Sequence, residues 1–161
     1  MRIRCILFCH GGEIPNVDGA IVRRHLDSFE SSFFIDDGKV ADILSESCPY
    51  AVILCHNCSE TLPPDPNVAF RNARHLVLEE RFWEAHEALE DAWHVSSGRK
   101  KDLIQALIWI IAAQVHWQMG HPDTAMAMHD RGSSILGSEI KFHYPISAEE
   151  FDMILKHIQA V

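Results

Sequence analysis

The run Leu103–Trp117 constrains the fold of this chain more than any other stretch. It is apolar nearly all round, interrupted only by Gln105, Gln114 and His116. A helix of that composition has no face to offer to water, so other helices must surround it. It falls short of the roughly 20 apolar residues needed to cross a bilayer. The run therefore reads as the middle of a central core helix, Arg99–Met119, stopped by Gly120. Pro122 suits the first turn of a further helix reaching about Leu136, with Ala125, Met128 and Ile135 inward.

The surrounding helices can be read on both sides. Val68–Leu78 is helical by pattern, with a break near Glu79–Arg81. In the next stretch Phe82, Ala85, Leu89, Ala92 and Trp93 recur at three- and four-residue steps and line one side of a helix. Ser96-Ser97-Gly98 ends that helix with chemistry suited to a tight antiparallel turn. Ser147-Ala148-Glu149-Glu150 is a capping box opening a last helix toward Ala160. Residues 68–161 are thus expected to form an all-α bundle with one central helix ringed by others.

The first 60 residues follow a different pattern and are expected to form a small α/β unit. Arg2–Cys9 is a strand-like run, and Ile21, Val22, His25, Leu26 and Phe29 place a helix over Asp18–Phe29. Ser32–Ile35 suits a short strand, Val40–Ser47 a short helix, and Tyr50–Cys55 a third strand. This β-α-β-α-β order implies right-handed crossovers and a parallel sheet. Three strands alone leave too much surface bare, so the rest of the chain or a second copy should cover one face, which leaves a homo-oligomer open. Pro63-Pro64-Asp65-Pro66 marks a linker at 61–67. The fold class is therefore α-rich, α+β overall.

The 161 residues, 47% hydrophobic, suffice for one domain plus a small attached unit. A net charge of −9, from 23 acids against 14 bases, disfavours nucleic acid and anionic membrane as partners. The apolar run Cys5–Cys9 is too short for the core of a secretory signal. Five cysteines, an odd number, then suggest reduced thiols and a cytoplasmic location.

His86 lies beside the apolar stripe of its helix, and Glu90 follows one turn later on the same side. Counting across the tight turn at Ser97 puts Glu90 level with Leu103 or Ile104 and His86 level with Leu107, with Gln105 between them. The same counting places Ser133 and Ser134 about level with Leu107, so they too are candidates to face His86. Glu84 and Glu87 complete the candidate ligand-binding set. Three readings compete. In the first, His86 and Glu90 are a buried structural pair completed by Gln105. In the second, His86 and Glu90 hold a divalent metal such as zinc, iron or manganese. In the third, the pair performs acid–base chemistry, although no nucleophile is identified for it. His86-Glu87-x-x-Glu90 is not the two-histidine helix of zinc proteases. His116 shares the stripe of Gln105 but stands about 16 Å further along the axis, too far for one shared ion.

Three other groupings arise from the pattern. A parallel sheet would gather His10, Gly11, Gly12 and Glu13 with Asp36, Asp37, His56, Asn57 and Cys58 at one edge. Cys55 and Cys58 have a metal-like spacing that Cys48 could extend, whereas Cys5 and Cys9, about 13 Å apart along a strand, cannot share an ion there. Ser96-Ser97-Gly98-Arg99-Lys100-Lys101 offers hydroxyls and cations at a helix start, where free amides attract anions.

Phe82-Trp83-Glu84-Ala85-His86-Glu87-Ala88-Leu89-Glu90 and Trp93, followed by Leu103–Ile108, Ala112-Ala113, His116 and Gly120, resembles domain-of-unknown-function family 309. The resemblance covers roughly residues 68–136 and implies a compact all-α domain with one central helix ringed by others. The family's biochemical role is not established. Members commonly carry Gly before the aromatic pair, where this chain has Glu80-Arg81, so a softer break between the two helices is expected. They commonly carry Gly after the glutamine of the central helix, where this chain has Ala106, so slightly wider helix packing is expected there. The leading functional expectation is a helical binding module for a small-molecule ligand with a His/Glu polar pocket. The alternatives are a metal-dependent hydrolase using His86 with Glu87 or Glu90, and a non-catalytic scaffold or oligomerisation protein.

Overall fold

A computed structural model of the chain describes residues 2–10, 17–47, 49, 51–55, 65–137 and 140–161. The chain forms two compact units, Met1–Thr61 and Leu62–Val161.

In the first unit, strands β1 (Arg2–Cys9), β2 (Ile21–Arg24), β3 (Phe29–Asp36) and β4 (Ala51–Cys55) form a sheet in the order β2-β3-β1-β4. Every pairing is antiparallel, with Arg2 opposite Asp36, Cys9 opposite Phe29, and Arg4 opposite Cys55. A short 3-10 turn, Asp37–Lys39, leads into helix α1 (Val40–Glu46). Cys5, Leu7, Cys9 and Phe33 form a small core on one face of the sheet, with Ile43 and Leu44 of α1 packed against it.

The expected parallel β-α-β-α-β arrangement is therefore corrected. Residues 18–29 do not form a helix: Ile21–Arg24 is a strand, and His25 N–H closes a hairpin onto the Ser28 carbonyl at 2.9 Å. The apolar spacing over this stretch matched a helix, but Ile21, Val22 and Leu26 are exposed and Arg23 is buried. Arg23 sits opposite Glu30 on β3, and that cross-strand ion pair decides which side faces inward.

The second unit follows the expected helical plan. Helix α2 (Pro66–Leu78) starts inside the proposed linker, because Pro66 fits the first helical position and the Asp65 carboxylate accepts from Asn67 N–H at 2.8 Å. Helices α3 (Phe82–Val95), α4 (Gly98–Gln118), α5 (Pro122–Leu136) and α6 (Ala148–Gln159) complete the unit. Helix α4 packs against α3, α5 and α6, and α2 against α3 and α6. Eleven residues of α4 are buried, from Leu103 to Gln118, as a helix without a water-facing stripe demands. The Arg74 guanidinium grips the Asp152 carboxylate through two bonds of 2.7 and 2.8 Å, clamping α2 to α6. Among the described residues no helix is long and apolar enough to cross a membrane.

Two expectations tied to the missing glycines are corrected. The α2–α3 corner is sharp: Glu80 has φ 56°, its N–H bonds to Val77 O at 3.1 Å, and Arg81 N–H bonds to Leu76 O at 2.9 Å. This is the left-handed helix ending usually given to glycine, here adopted by a glutamate at a cost of about 1 kcal/mol. Two contacts offset that cost: Gln118 Nε2 donates to Glu80 O at 2.8 Å, and Tyr144 OH donates to Glu80 Oε2 at 2.8 Å. Around Ala106 the packing is close, because the partner helix supplies the glycine. A Cβ on Gly132 of α5 would lie 2.7 Å from the Ala106 carbonyl oxygen and 2.8 Å from Ile110 Cγ1.

Candidate functional site

Helix α3 buries Phe82, Ala85, Leu89 and Ala92, which turns Trp83, His86, Glu87 and Glu90 toward its margin. The Trp83 and His86 rings are stacked, 5.7 Å between centroids and 16° between planes. Trp83 Nε1 donates to Glu87 Oε1 at 2.9 Å, so one turn of helix fixes an indole, an imidazole and a carboxylate together. His86 Nδ1 is buried and has no hydrogen-bond partner among the described residues. Its Nε2 stands 3.9 Å from Glu90 Oε1, with the two side chains 22% and 48% exposed. That distance is too long for a hydrogen bond, so the pair is open rather than a sealed core contact.

Glu84 is held by Arg81, whose Nε donates to Glu84 Oε1 at 3.1 Å while its NH1 donates to Glu79 at 2.9 Å. Burial works against the Arg81 charge, yet the two carboxylates hold the guanidinium above its ordinary value. Gln105 is half-buried on α4. The Ser133 hydroxyl donates to Ile140 O at 3.5 Å, and the exposed Ser134 hydroxyl donates to Arg131 O at 2.9 Å. Both serines thus bond to backbone carbonyls rather than to His86. The structure gathers Trp83, His86, Glu87 and Glu90 on one margin of α3.

Among the described residues no group of three or more His, Cys, Asp or Glu side chains is arranged to hold a metal ion. His86 and Glu90 alone offer two donors, short of the three protein ligands of a catalytic zinc site, so no chemistry is derived through a metal here.

The other groupings are described only in part. Antiparallel pairing puts His10 at one end of β1 and Asp36 and Cys55 toward the other, so His10 does not share a sheet edge with Asp36. Gly11, Gly12, Glu13, Cys48, His56, Asn57 and Cys58 lie outside the described residues. Cys5 and Cys9 are buried free thiols. At the start of α4, Arg99 donates to Ile135 O at 2.9 Å and Lys101 Nζ sits 3.8 Å over the Trp93 ring, which engages two of the three cations in packing.

Sequence reasoning missed two polar clusters. In the sheet, the buried Arg23 NH1 bonds to Glu30 Oε1, and His25 Nε2 stands 3.4 Å from Glu30 Oε2. Burial alone would raise the Glu30 carboxyl, but His25 and Arg23 outweigh it and hold the group below its ordinary value. In the helical unit, Gln114 grips the segment Ile140–Ile146: its Nε2 donates to His143 O at 3.2 Å and its Oε1 accepts from Ile146 N–H at 3.1 Å. Gln114, set in the apolar run of the central helix, was the available signal, since buried amides require partners.

The geometry of α2 through α5 is that of the segment carrying the sequence resemblance. The family model described as Domain of unknown function (DUF309) matches residues 70–128. The DUF309 match thus runs from Phe70 on α2 to Met128 on α5 and includes the whole Trp83–Glu90 margin. It is narrower than the expected span of 68–136 and lies wholly within the second unit. No curated protein and no solved structure matches the chain.

Proposed function

We propose that the helical unit is a binding module for a small polar ligand, engaged at the margin formed by His86, Glu90 and Glu87 with Trp83 behind them. The observation that carries this reading is the state of His86. Stacking holds the ring in place, yet one nitrogen has no hydrogen-bond partner among the described residues and the other faces a half-exposed carboxylate at 3.9 Å. Orienting an imidazole while leaving its bonding incomplete suits a ligand that supplies the missing partners. Glu84 and Gln105 belong to the same proposal as flanking groups, and Ser133 and Ser134 as more distant ones. The compartment proposed is the cytoplasm, where the buried free thiols Cys5 and Cys9 stay reduced.

Ligand-observed NMR screening with a fragment library, followed by protein-observed spectra of the histidine rings, tests this on the full chain. Hits are expected to shift the His86 ring resonances and to disappear in a His86→Ala/Glu90→Ala variant whose circular dichroism matches wild type. Hits that survive in that variant, or a library that leaves the His86 ring unmoved, would remove the basis for a module at this margin.

A further inference from the structure

We propose that the segment Ile140–Ile146 is an acid-released strap, held against α4 and α5 while the His129 imidazole beneath it is neutral and let go when that ring takes up a proton. Side chains anchor the strap at several points. Gln114 of α4 bonds to its backbone twice, at His143 O and Ile146 N–H. The Tyr144 hydroxyl reaches Glu80 at the α2–α3 corner, and the Phe142 ring lies 5.1 Å from Trp117. His143 Nε2 stands 2.8 Å from Glu150 Oε2 on α6.

His129 of α5 lies under this segment, 3% exposed, with its ring edge-on to Phe142 at 5.4 Å. Its Nδ1 is buried and has no hydrogen-bond partner among the described residues. The carboxylate nearest to it is Asp130 Oδ1 at 3.7 Å, on a side chain 78% exposed to water and so a weak counter-charge. Burial, joined by the proximity of His143, holds His129 below its ordinary value, although Asp130 acts the other way.

The sign follows from that direction. Closed, His129 resists a proton that it accepts once the strap lifts, so closure is fully favoured above the ordinary histidine range and weakens as pH falls through it. The neighbouring elements mostly agree. On α4, His116 is also held below its ordinary value, by burial and by the nearby His121. On α6, burial raises the Glu150 carboxyl, although His143 acts against that, so Glu150 loses its charge early in acid and with it the hold on His143. One contact opposes release: the His143–Glu150 pair, 2.8 Å apart, for as long as Glu150 stays ionised.

Hydrogen exchange on the full chain, expressed as protection factors at about pH 7.5 and about pH 5, tests the proposal. Protection of the strap, read at the Ile146 amide that Gln114 holds, is expected to fall about tenfold or more in acid while α3 amides hold theirs, and His129→Gln is expected to flatten that fall. Unchanged strap protection in wild type, or the same fall in His129→Gln, overturns it. Should His129→Gln not fold, NMR titration of the wild-type ring decides: its midpoint must coincide with loss of strap protection, and a ring that titrates over an unmoved strap overturns the proposal.

Discussion

The chain carries two histidine–glutamate pairs that look alike on paper and differ in physical state. His25 and Glu30 stand 3.4 Å apart at 5% and 0% exposure, with Arg23 bonded to the same carboxylate. His86 and Glu90 stand 3.9 Å apart at 22% and 48% exposure, with no third charge joined to them among the described residues. A carboxylate removed from water needs a nearby charge, and Glu30 has the Arg23 guanidinium bonded to one oxygen and the His25 ring 3.4 Å from the other. Glu90 keeps its water, so nothing in the fold demands that His86 complete the contact. The difference teaches where a polar group is committed to stability and where it is left for another partner.

The largest effect should come from breaking the buried pair. Glu30→Gln is expected to lower the stability of the sheet unit by roughly 3–5 kcal/mol, because it removes the carboxylate charge bonded to the buried Arg23 guanidinium. Urea unfolding followed by exchange at β1 and β3 amides would show it. Equal losses for Glu30→Gln and Glu90→Gln would erase the distinction between the pairs. The pH dependence sharpens it. Glu30 is held below its ordinary value, so its contribution is present above the unfolded-state range near 4.5 and is lost as acid protonates it below that. Strand amides should therefore keep their protection down to the glutamate range and lose it beneath.

A middle-sized effect is expected from Gln114→Leu, which leaves His143 O and Ile146 N–H without their partner and should cost roughly 2–3 kcal/mol, read as a lower urea midpoint. Gly132→Ala should cost roughly 1–3 kcal/mol by overpacking the α4–α5 contact, measurable as a fall in Tm. The smallest change belongs to the open pair: His86→Ala is expected to cost under about 1 kcal/mol in the same assay. A loss above that would recast His86 as a structural residue and weaken the binding reading.

The helical unit was legible because its helices obey one period. Phe82, Ala85, Leu89 and Ala92 point inward as their spacing requires, and Ser147 caps α6 through Glu150 N–H at 3.1 Å. The sheet was misread because Arg23 and Glu30 invert the usual sidedness: two charged residues go inward as a pair, and apolar neighbours are left outside. No single-strand pattern reveals a partner seven residues away across a hairpin. The candidate site was legible in its residues and not in its bonding. His86 and Glu90 fell on one side of α3 as expected, whereas the Trp83 stack depends on rotamers that spacing does not specify. Glu80 shows the same limit from the backbone side, where Gln118 and Tyr144 sustain a conformation that its residue type disfavours.

The bare backbone of Gly132 has a consequence for motion. With the Ala106 carbonyl where a side chain would otherwise stand, α4 and α5 are keyed at one register. Sliding by three or four residues, about 4.5–6 Å, would bring the side chain of His129 or Leu136, the next on that face, against that carbonyl. The two helices must therefore travel as one block, and any breathing of this unit is left to the pieces laid around them.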